Sequence, residues 1–319
     1  MPQNKGHRRI LVIKHGALGD IMQALDAFAS LRAGNPHAHI ALMTSPVFLS
    51  LAKMMPWFDQ VIVDPRAGLL NLAAAWRIRQ YFRQDWSVIV DMQCSRRTRN
   101  YFAHFALSNM RWIGTAAGCS DPLPDFTGVN NRDRMVKSAE IAGGISQNPD
   151  MSWLVNGAAQ TDDPAVMIND RQYVVLIPGC SPAKPQKRWP ADRFAAIGNE
   201  LVSRGFEIVL VGTADDREAV NGVLAASPDA IDLCGKTNLV GLARLLGGAA
   251  FVIGNDTGPM FLAARTGVPS LMIMGPDTEP TMSAPKGAAA SWLHGAPISE
   301  ISAAAAIGAL ESLGLKPNA

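Results

Sequence analysis

The sequence predicts an α/β protein made of two successive doubly wound, parallel-sheet domains. Three observations predict it. The chain has 319 residues, more than one small core organises. Short apolar runs alternate with longer helical patterns from one end to the other. The runs are continuous rather than alternating in polarity, which marks strands covered on both faces by crossover helices.

In the first half, strands are expected at RILVI (9–13), HIALM (39–43), QVIVD (60–64), SVIVD (87–91) and RWIGT (111–115). Helical patterns near 21–32, 47–55, 69–84, 96–108 and 131–143 separate or follow them. In the second half the strands are YVVLI (173–177), EIVLVG (207–212), AIDLC (230–234), FVIGN (251–255) and PSLMIM (269–274), again with helical segments between. The segment 147–166, QNPDMSWLVNGAAQTDDPAV, breaks the pattern with prolines, asparagines and acids, and places the join so that the domains are 1–160 and 161–319. Ligands of such folds bind beyond the C-terminal ends of the strands. Two domains facing a central cleft would line it with their strand-to-helix loops.

Composition fits a globular protein: 48% of residues are apolar and 18% charged. No run approaches the roughly 18 apolar residues of a membrane span, and the basic N-terminus lacks the apolar core and cleavage site of a signal peptide. A cytoplasmic protein is expected. Cys94, Cys119, Cys180 and Cys234 form no C-x-x-C pair and have no histidine at ligand spacing, so free thiols and no metal site are expected. Charge is uneven. Residues 1–150 carry 17 Lys and Arg against 11 Asp and Glu, and residues 151–319 carry 12 against 16. An electropositive first half suits an anionic partner. Nucleic acid is not indicated, because no long basic run or nucleic-acid signature is present.

The loop HGALGD (15–20) joins the first strand to the helix that places Ile21, Ala24, Leu25, Phe28 and Leu31 on one face. Asp20 there either caps the helix or stands at the cleft mouth, able to take a proton from a hydroxyl. Gly16 and Gly19 would let backbone approach a substrate closely, and His15 is the histidine that falls in a cleft loop. The segment IPGCSPAKPQKRWP (177–190) is stiff and cationic, carrying Ser181, Lys184, Lys187 and Arg188. It is either a solvated basic turn or an anion clamp in which Lys187 faces a phosphate.

VIGNDTGPMFLAARTG (252–267) is strand, turn and helix, with N–H groups near Thr257 and Gly258 offering a phosphate site. Asp256 either caps that helix or accepts sugar hydroxyls. In GTADDRE (212–218) a carboxylate would suit the two hydroxyls of a ribose, and for Asp215 helix capping is the preferred reading. CGKTN (234–238) is not a P-loop, since Ala230 stands where the first glycine is required, and it reads as a turn capped by Thr237 or Asn238. Arg96, Arg97 and Arg99 follow the fourth strand. They form either a solvated helix face or an anionic acceptor site, with Tyr101, Phe102 and Phe105 placed to touch a lipid headgroup layer.

Together these loops resemble glycosyltransferase family 9, the bacterial heptosyltransferases and their relatives. The resemblance rests on ILVIKHGALGDIMQALDAFASLR, GCSPAKPQKRWPADRFA, DLCGKTNLVGLARLL and VIGNDTGPMFLAARTGVP, in matching order over nearly the whole chain. It implies a GT-B fold and an inverting, metal-independent transfer of heptose from ADP-heptose to the lipopolysaccharide inner core, at the cytoplasmic face of the inner membrane. Partners so implied are the nucleotide sugar, an anionic lipid-linked glycan acceptor and, peripherally, that membrane; no cofactor is implied. Asp20 would be the general base. Ser181, Lys187, Asp216, Asp256, Thr257 and Gly258 would bind the donor, and His15, Gly16, Arg96, Arg97 and Arg99 the acceptor. Phe261 departs from the pattern, standing where the family commonly has a histidine after G-P-M. A different donor or acceptor, or a catalytically silent nucleotide-sugar-binding protein, are the alternatives.

Overall fold

The computed structural model describes residues 8–67, 71–106, 110–156, 168 and 172–316. The chain divides into two compact units, Met1–Trp153 and Leu154–Ala319. The division falls ahead of most of the proline- and acid-bearing stretch on which the sequence placed the join, and residues 157–166 of that stretch lie outside the described residues.

In the first unit the elements are β1 (Arg9–Ile13), α1 (Leu18–Gly34), β2 (His39–Thr44), α2 (Leu49–Met54), β3 (Gln60–Val63), α3 (Leu72–Phe82), β4 (Val88–Asp91), α4 (Arg96–Phe105), β5 (Arg111–Gly114), β6 (Asp121–Pro122) and α5 (Asn131–Ile141). The short helix α6 (Ser152–Asn156) crosses the division. The second unit continues with β7 (Tyr173–Ile177), α7 (Ala191–Ser203), β8 (Glu207–Leu210), α8 (Arg217–Leu224), β9 (Ile231–Asp232), α9 (Leu239–Gly248) and β10 (Phe251–Asn255). It ends with α10 (Gly258–Thr266), β11 (Ser270–Met274), α11 (Pro280–Ser283), β12 (Ala290–His294) and α12 (Ala303–Ser312).

Each unit holds one six-stranded sheet, ordered β3-β2-β1-β4-β5-β6 and β12-β11-β10-β7-β8-β9. Every pairing is parallel. Counted from its own first strand, the second sheet repeats the order of the first. This is the doubly wound, Rossmann-like order, in which the winding direction reverses between first and fourth strands and opens a crevice at their C-terminal ends. The reversal lies between β1 and β4 in one unit and between β7 and β10 in the other.

The continuous apolar runs behave as expected of strands sandwiched between helices. Ile10, Leu11, Val12 and Ile13, like Val174, Val175 and Leu176, are fully buried. Helix α1 is buried more completely than a single apolar stripe requires. Ile21, Leu25 and Phe28 face inward as expected, but Asp26 and Ser30 are buried too, because α5 covers the other side. The Arg132 guanidinium donates to Asp26 Oδ1 at 2.7 Å, and Ser30 accepts the backbone N–H of Gln147. Two strands had no counterpart in the sequence reading, β6 and β12. Both are edge strands, and β12 is half-exposed along its length, so neither carries a continuous apolar run. Among the described residues no helix is long and apolar enough to cross a membrane.

Candidate functional site

In the first unit the site is built where β1, β3 and β4 end. The chain leaves β1 through Lys14, His15, Gly16 and Ala17 and enters α1 at Leu18. Gly16 is required there twice over. Its φ is +130°, and a Cβ would lie 2.4 Å from Cε2 of Phe48. The Phe48 ring fills the place a side chain would take, so the packing of the turn itself requires glycine at 16.

Asp20 is the third residue of α1, whose N-cap is Ala17 with no side-chain capping bond, so Asp20 does not cap the helix as one reading had it. Its Oδ1 accepts from Asn131 Nδ2 at 3.1 Å, and Asn131 in turn accepts from Arg134 at 2.7 Å. Its Oδ2 lies 3.9 Å from Lys14 Nζ. The Lys14 side chain is 2% exposed and that of Asp20 39%. Burial pulls the Lys14 ammonium below its ordinary range and Asp20 pulls it back up, with Arg134 adding to the lowering. The result is a carboxylate held from one side, beside a buried cation, with its other side open to solvent.

Behind it lies a buried carboxylate that the sequence reading did not single out. Asp64, at the end of β3 and fully buried, accepts from Arg97 Nε at 3.0 Å and Nη2 at 2.9 Å, from Tyr101 Oη at 2.6 Å and from the Arg66 backbone N–H at 2.8 Å. His15 Nε2 stands 2.9 Å from it. Burial alone would push this carboxyl up. The bonds from His15, Arg97, Tyr101 and Arg66 outweigh burial and hold it well below the usual carboxylate range. This corrects two expectations. His15 is 2% exposed and Arg97 is bound to Asp64 and to the Ala67 carbonyl, so neither is presented to an acceptor. Arg96 and Arg99 are exposed.

The helical period explains the split: 96 and 99 share the outer face of α4, while 97 and 101 share the inner one. Tyr101 is buried, and Phe102 and Phe105 are half-buried against the same core. Asp91, at the end of β4, is fully buried and accepts the backbone N–H groups of Gln93 and Cys94. Burial pushes its carboxyl up. Burial, with Asp91 beside it, also pushes the Cys94 thiol up to about 11. All four cysteines are free, and three of them are buried.

In the second unit the loop after β7 is stapled to β10. Asn255, fully buried, accepts the Trp189 backbone N–H at 2.9 Å and donates to the Pro178 carbonyl at 2.8 Å. Trp189 itself is anchored by Nε1 donating to Ile301 at 2.9 Å. This fixes the short helical turn Pro185–Lys187, from which Lys187 Nζ donates to Asp256 Oδ2. Thr278 Oγ1 donates to the same oxygen at 2.5 Å. Asp256 therefore does not cap α10: the N-cap is Thr257, and its side chain makes no capping bond. Met260 N–H donates to the Thr257 carbonyl at 3.0 Å, Pro259 at the second position has no N–H, and the Gly258 N–H at the helix start has no intrahelical carbonyl ahead of it. Phe261 is 7% exposed, inside the core. Ser181 is exposed.

After β8, Thr213 and Asp216 form a reciprocal capping box, with Asp216 Oδ2 accepting the Thr213 N–H and Oγ1, each at 2.8 Å. Asp215 is exposed, so the capping acid is Asp216, not Asp215. A Cβ on Gly179 would fall 2.2 Å from Asp216 Cγ, so the β7 loop approaches Asp216 as only glycine permits. Gly179→Ala is expected to lower the unfolding free energy by about 1–3 kcal/mol, read by chemical denaturation. An unchanged midpoint would contradict this packing. CGKTN behaves as a capped turn, with Asn238 accepting the N–H groups of Val240 and Gly241. Among the described residues no three His, Cys, Asp or Glu side chains group into a metal site.

A family model described as glycosyltransferase family 9 (heptosyltransferase) matches residues 137–296. Lipopolysaccharide heptosyltransferase 2 of Salmonella typhimurium is 31% identical over 295 residues, covering 85% of this chain and 83% of its own. The glycosyl transferase family 9 structure from Veillonella parvula superposes with a TM-score of 0.81 at 21% identity, over 96% of this chain and 97% of that one. The structure of E. coli heptosyltransferase WaaC with ADP gives 0.77 at 19% identity, over 96% and 100%.

Proposed function

The chain belongs to glycosyltransferase family 9 and has its two-domain GT-B fold, and from that premise we propose that it transfers heptose from ADP-heptose to the lipopolysaccharide inner core. The observation that carries the reading is the coincidence of two loop sets, one at each sheet reversal: Asp20 backed by Lys14 and Asn131, and Lys187 with Asp256 ahead of α10. The Salmonella relative is a lipopolysaccharide heptosyltransferase, and the solved E. coli heptosyltransferase holds ADP.

The proposed reaction is one displacement with inversion. Asp20 takes the proton of the acceptor hydroxyl as its oxygen bonds to the anomeric carbon and the bond to the diphosphate breaks. Lys187 and the N–H groups of Thr257 and Gly258 take up the charge that develops on the leaving phosphate. Asp216 and Ser181 are assigned to the donor as well, with Oδ1 of Asp216 left to a ribose hydroxyl. A carboxylate beside a diphosphate would repel it, but Asp256 is paired with Lys187. Arg96 and Arg99 are assigned to the anionic, lipid-linked acceptor, which puts the enzyme's work at the cytoplasmic face of the inner membrane. The transfer is proposed to need no metal, since the chain has no D-x-D segment.

The test is mass spectrometry of heptose-free core acceptor after incubation with the protein, ADP-heptose and a chelator, beside a panel of other nucleotide sugars. A gain of one heptose supports the reading. Phe261 favours a second reading, a changed donor: it is buried and offers no hydrogen bond. A hexose gained from another donor would establish it, and ligand-induced stabilisation without any product would establish a silent binding protein. Within the first reading, Lys187→Met is expected to raise the donor KM about 10- to 100-fold, because it removes a charge-assisted bond and leaves Asp256 to repel the phosphates. An unchanged KM would remove Lys187 from the donor site.

A further inference from the structure

Helices α3 and α4 lie side by side on one face of the first sheet. Phe82 of α3 packs against Tyr101 and Phe105 of α4, with ring centroids 5.6 and 6.1 Å apart. Inward, both helices feed one apolar core. Outward, α3 exposes Leu72 to 80% and Trp76 to 64%, one helical turn apart. Single exposed apolar residues are ordinary, and this pair alone decides nothing. Its charge setting does. Neither helix contains an aspartate or glutamate, and Arg77, Arg79, Arg96 and Arg99 are all exposed. The nearest acid beyond α3 is Asp85, past the far end of the helix.

We propose that this outer face is a docking surface for anionic phospholipid, with Leu72 and Trp76 entering the headgroup layer and Arg77 and Arg79 meeting phosphates. Arg96 and Arg99 extend the same cationic field across α4. An amphipathic helix face of this kind, with an indole among arginines, is what an anionic interface holds: the ring sits at headgroup level and the cations stay hydrated beside it. A second copy of the chain would bring these arginines against one another, and a nucleic acid would leave Leu72 and Trp76 without a role. Position adds an argument. A helix that follows a parallel strand starts at the C-terminal edge of the sheet, so Leu72 and Trp76, in the first two turns of α3, lie toward the edge that carries Lys14, Asp20 and Asp64. The purpose of the surface rests on the proposed lipid-linked acceptor, which would reach that edge from the bilayer.

The test is co-sedimentation of the full chain with vesicles of phosphatidylglycerol and phosphatidylethanolamine, beside vesicles of phosphatidylcholine alone. No donor or acceptor is present, so the result stands even if the protein transfers no heptose. Binding is expected to the anionic vesicles only and to weaken with salt. Leu72→Ser with Trp76→Ser is expected to lower it about tenfold or more, and Arg77→Gln and Arg79→Gln about fivefold each. Because these side chains are exposed, thermal unfolding of the variants should match the parent, and the serine variant should retain transfer to a soluble, lipid-free acceptor fragment. Equal binding to neutral vesicles, no binding, or binding indifferent to the serine substitutions would overturn the proposal. So would lipid-free self-association that the same substitutions abolish.

Discussion

Asp20→Asn is expected to lower kcat by about 10²- to 10⁴-fold, the range associated with loss of a positioned general base, while the donor KM changes by no more than about twofold. The split follows from the placement of the side chain. Asp20 belongs to the first unit, and its partners there are Asn131 at 3.1 Å and Lys14 at 3.9 Å. The residues assigned to the donor all belong to the second. Asparagine keeps the shape and can still accept from Asn131, so what is lost is the capacity to take a proton. Stability should hardly change, because the Asp20 side chain is 39% exposed and its ion pair with Lys14 is long, at 3.9 Å. Steady-state kinetics with varied donor, together with a thermal melt, decide the matter. A variant with parental kcat would remove Asp20 from the chemistry, and one with a greatly raised donor KM would move it to binding.

Much of this was legible in the residues, and the exceptions have physical causes. Continuous apolar runs located ten of the twelve strands found among the described residues, because a strand buried on both faces has no polar phase to hide it. The edge strands β6 and β12 lack that signature. Asp20, Lys187 and Asp256 stood out because each sits in or just past a Gly- or Pro-bearing turn between strand and helix. Asp64, Asp91 and Lys14 did not, since a charged residue at the end of an apolar run reads as the strand's exit to solvent. Their burial arises only when parallel register brings the ends of β1, β3 and β4 together, and Ile13 stands opposite Asp91 in that register. A trace was present all the same: QVIVD and SVIVD each close on an acid. The division of Arg97 from Arg96 and Arg99 was also available, because three arginines within four helical positions cannot share one face.

Asp64→Asn should be the most destabilising of the single substitutions considered, at about 3–5 kcal/mol, against a total of about 5–15 kcal/mol for a typical domain. The carboxylate is fully buried and takes both guanidinium branches of Arg97 together with Tyr101 Oη and the Arg66 N–H. Asparagine can accept on only one side, and its amide would point a donor at donors while Arg97 lost its counter-charge. The pH dependence fixes the sign. The Asp64 carboxyl is held below its ordinary range in the folded protein and titrates near about 3.9 when unfolded. Its contribution is therefore complete above that value and is lost as pH falls below about 4 toward the depressed folded value. Denaturant midpoints measured from about pH 6 down to about pH 2.5 should fall less steeply in Asp64→Asn than in the parent, by up to about 1.4 kcal/mol per pH unit for the one proton involved. Arg97→Met should cost a similar amount, because it strands the buried carboxylate. In a double-mutant cycle the two losses should then fall well short of adding. Parallel pH slopes, or additive losses, would mean that the charge of Asp64 is not what holds β3, α4 and the His15 turn together.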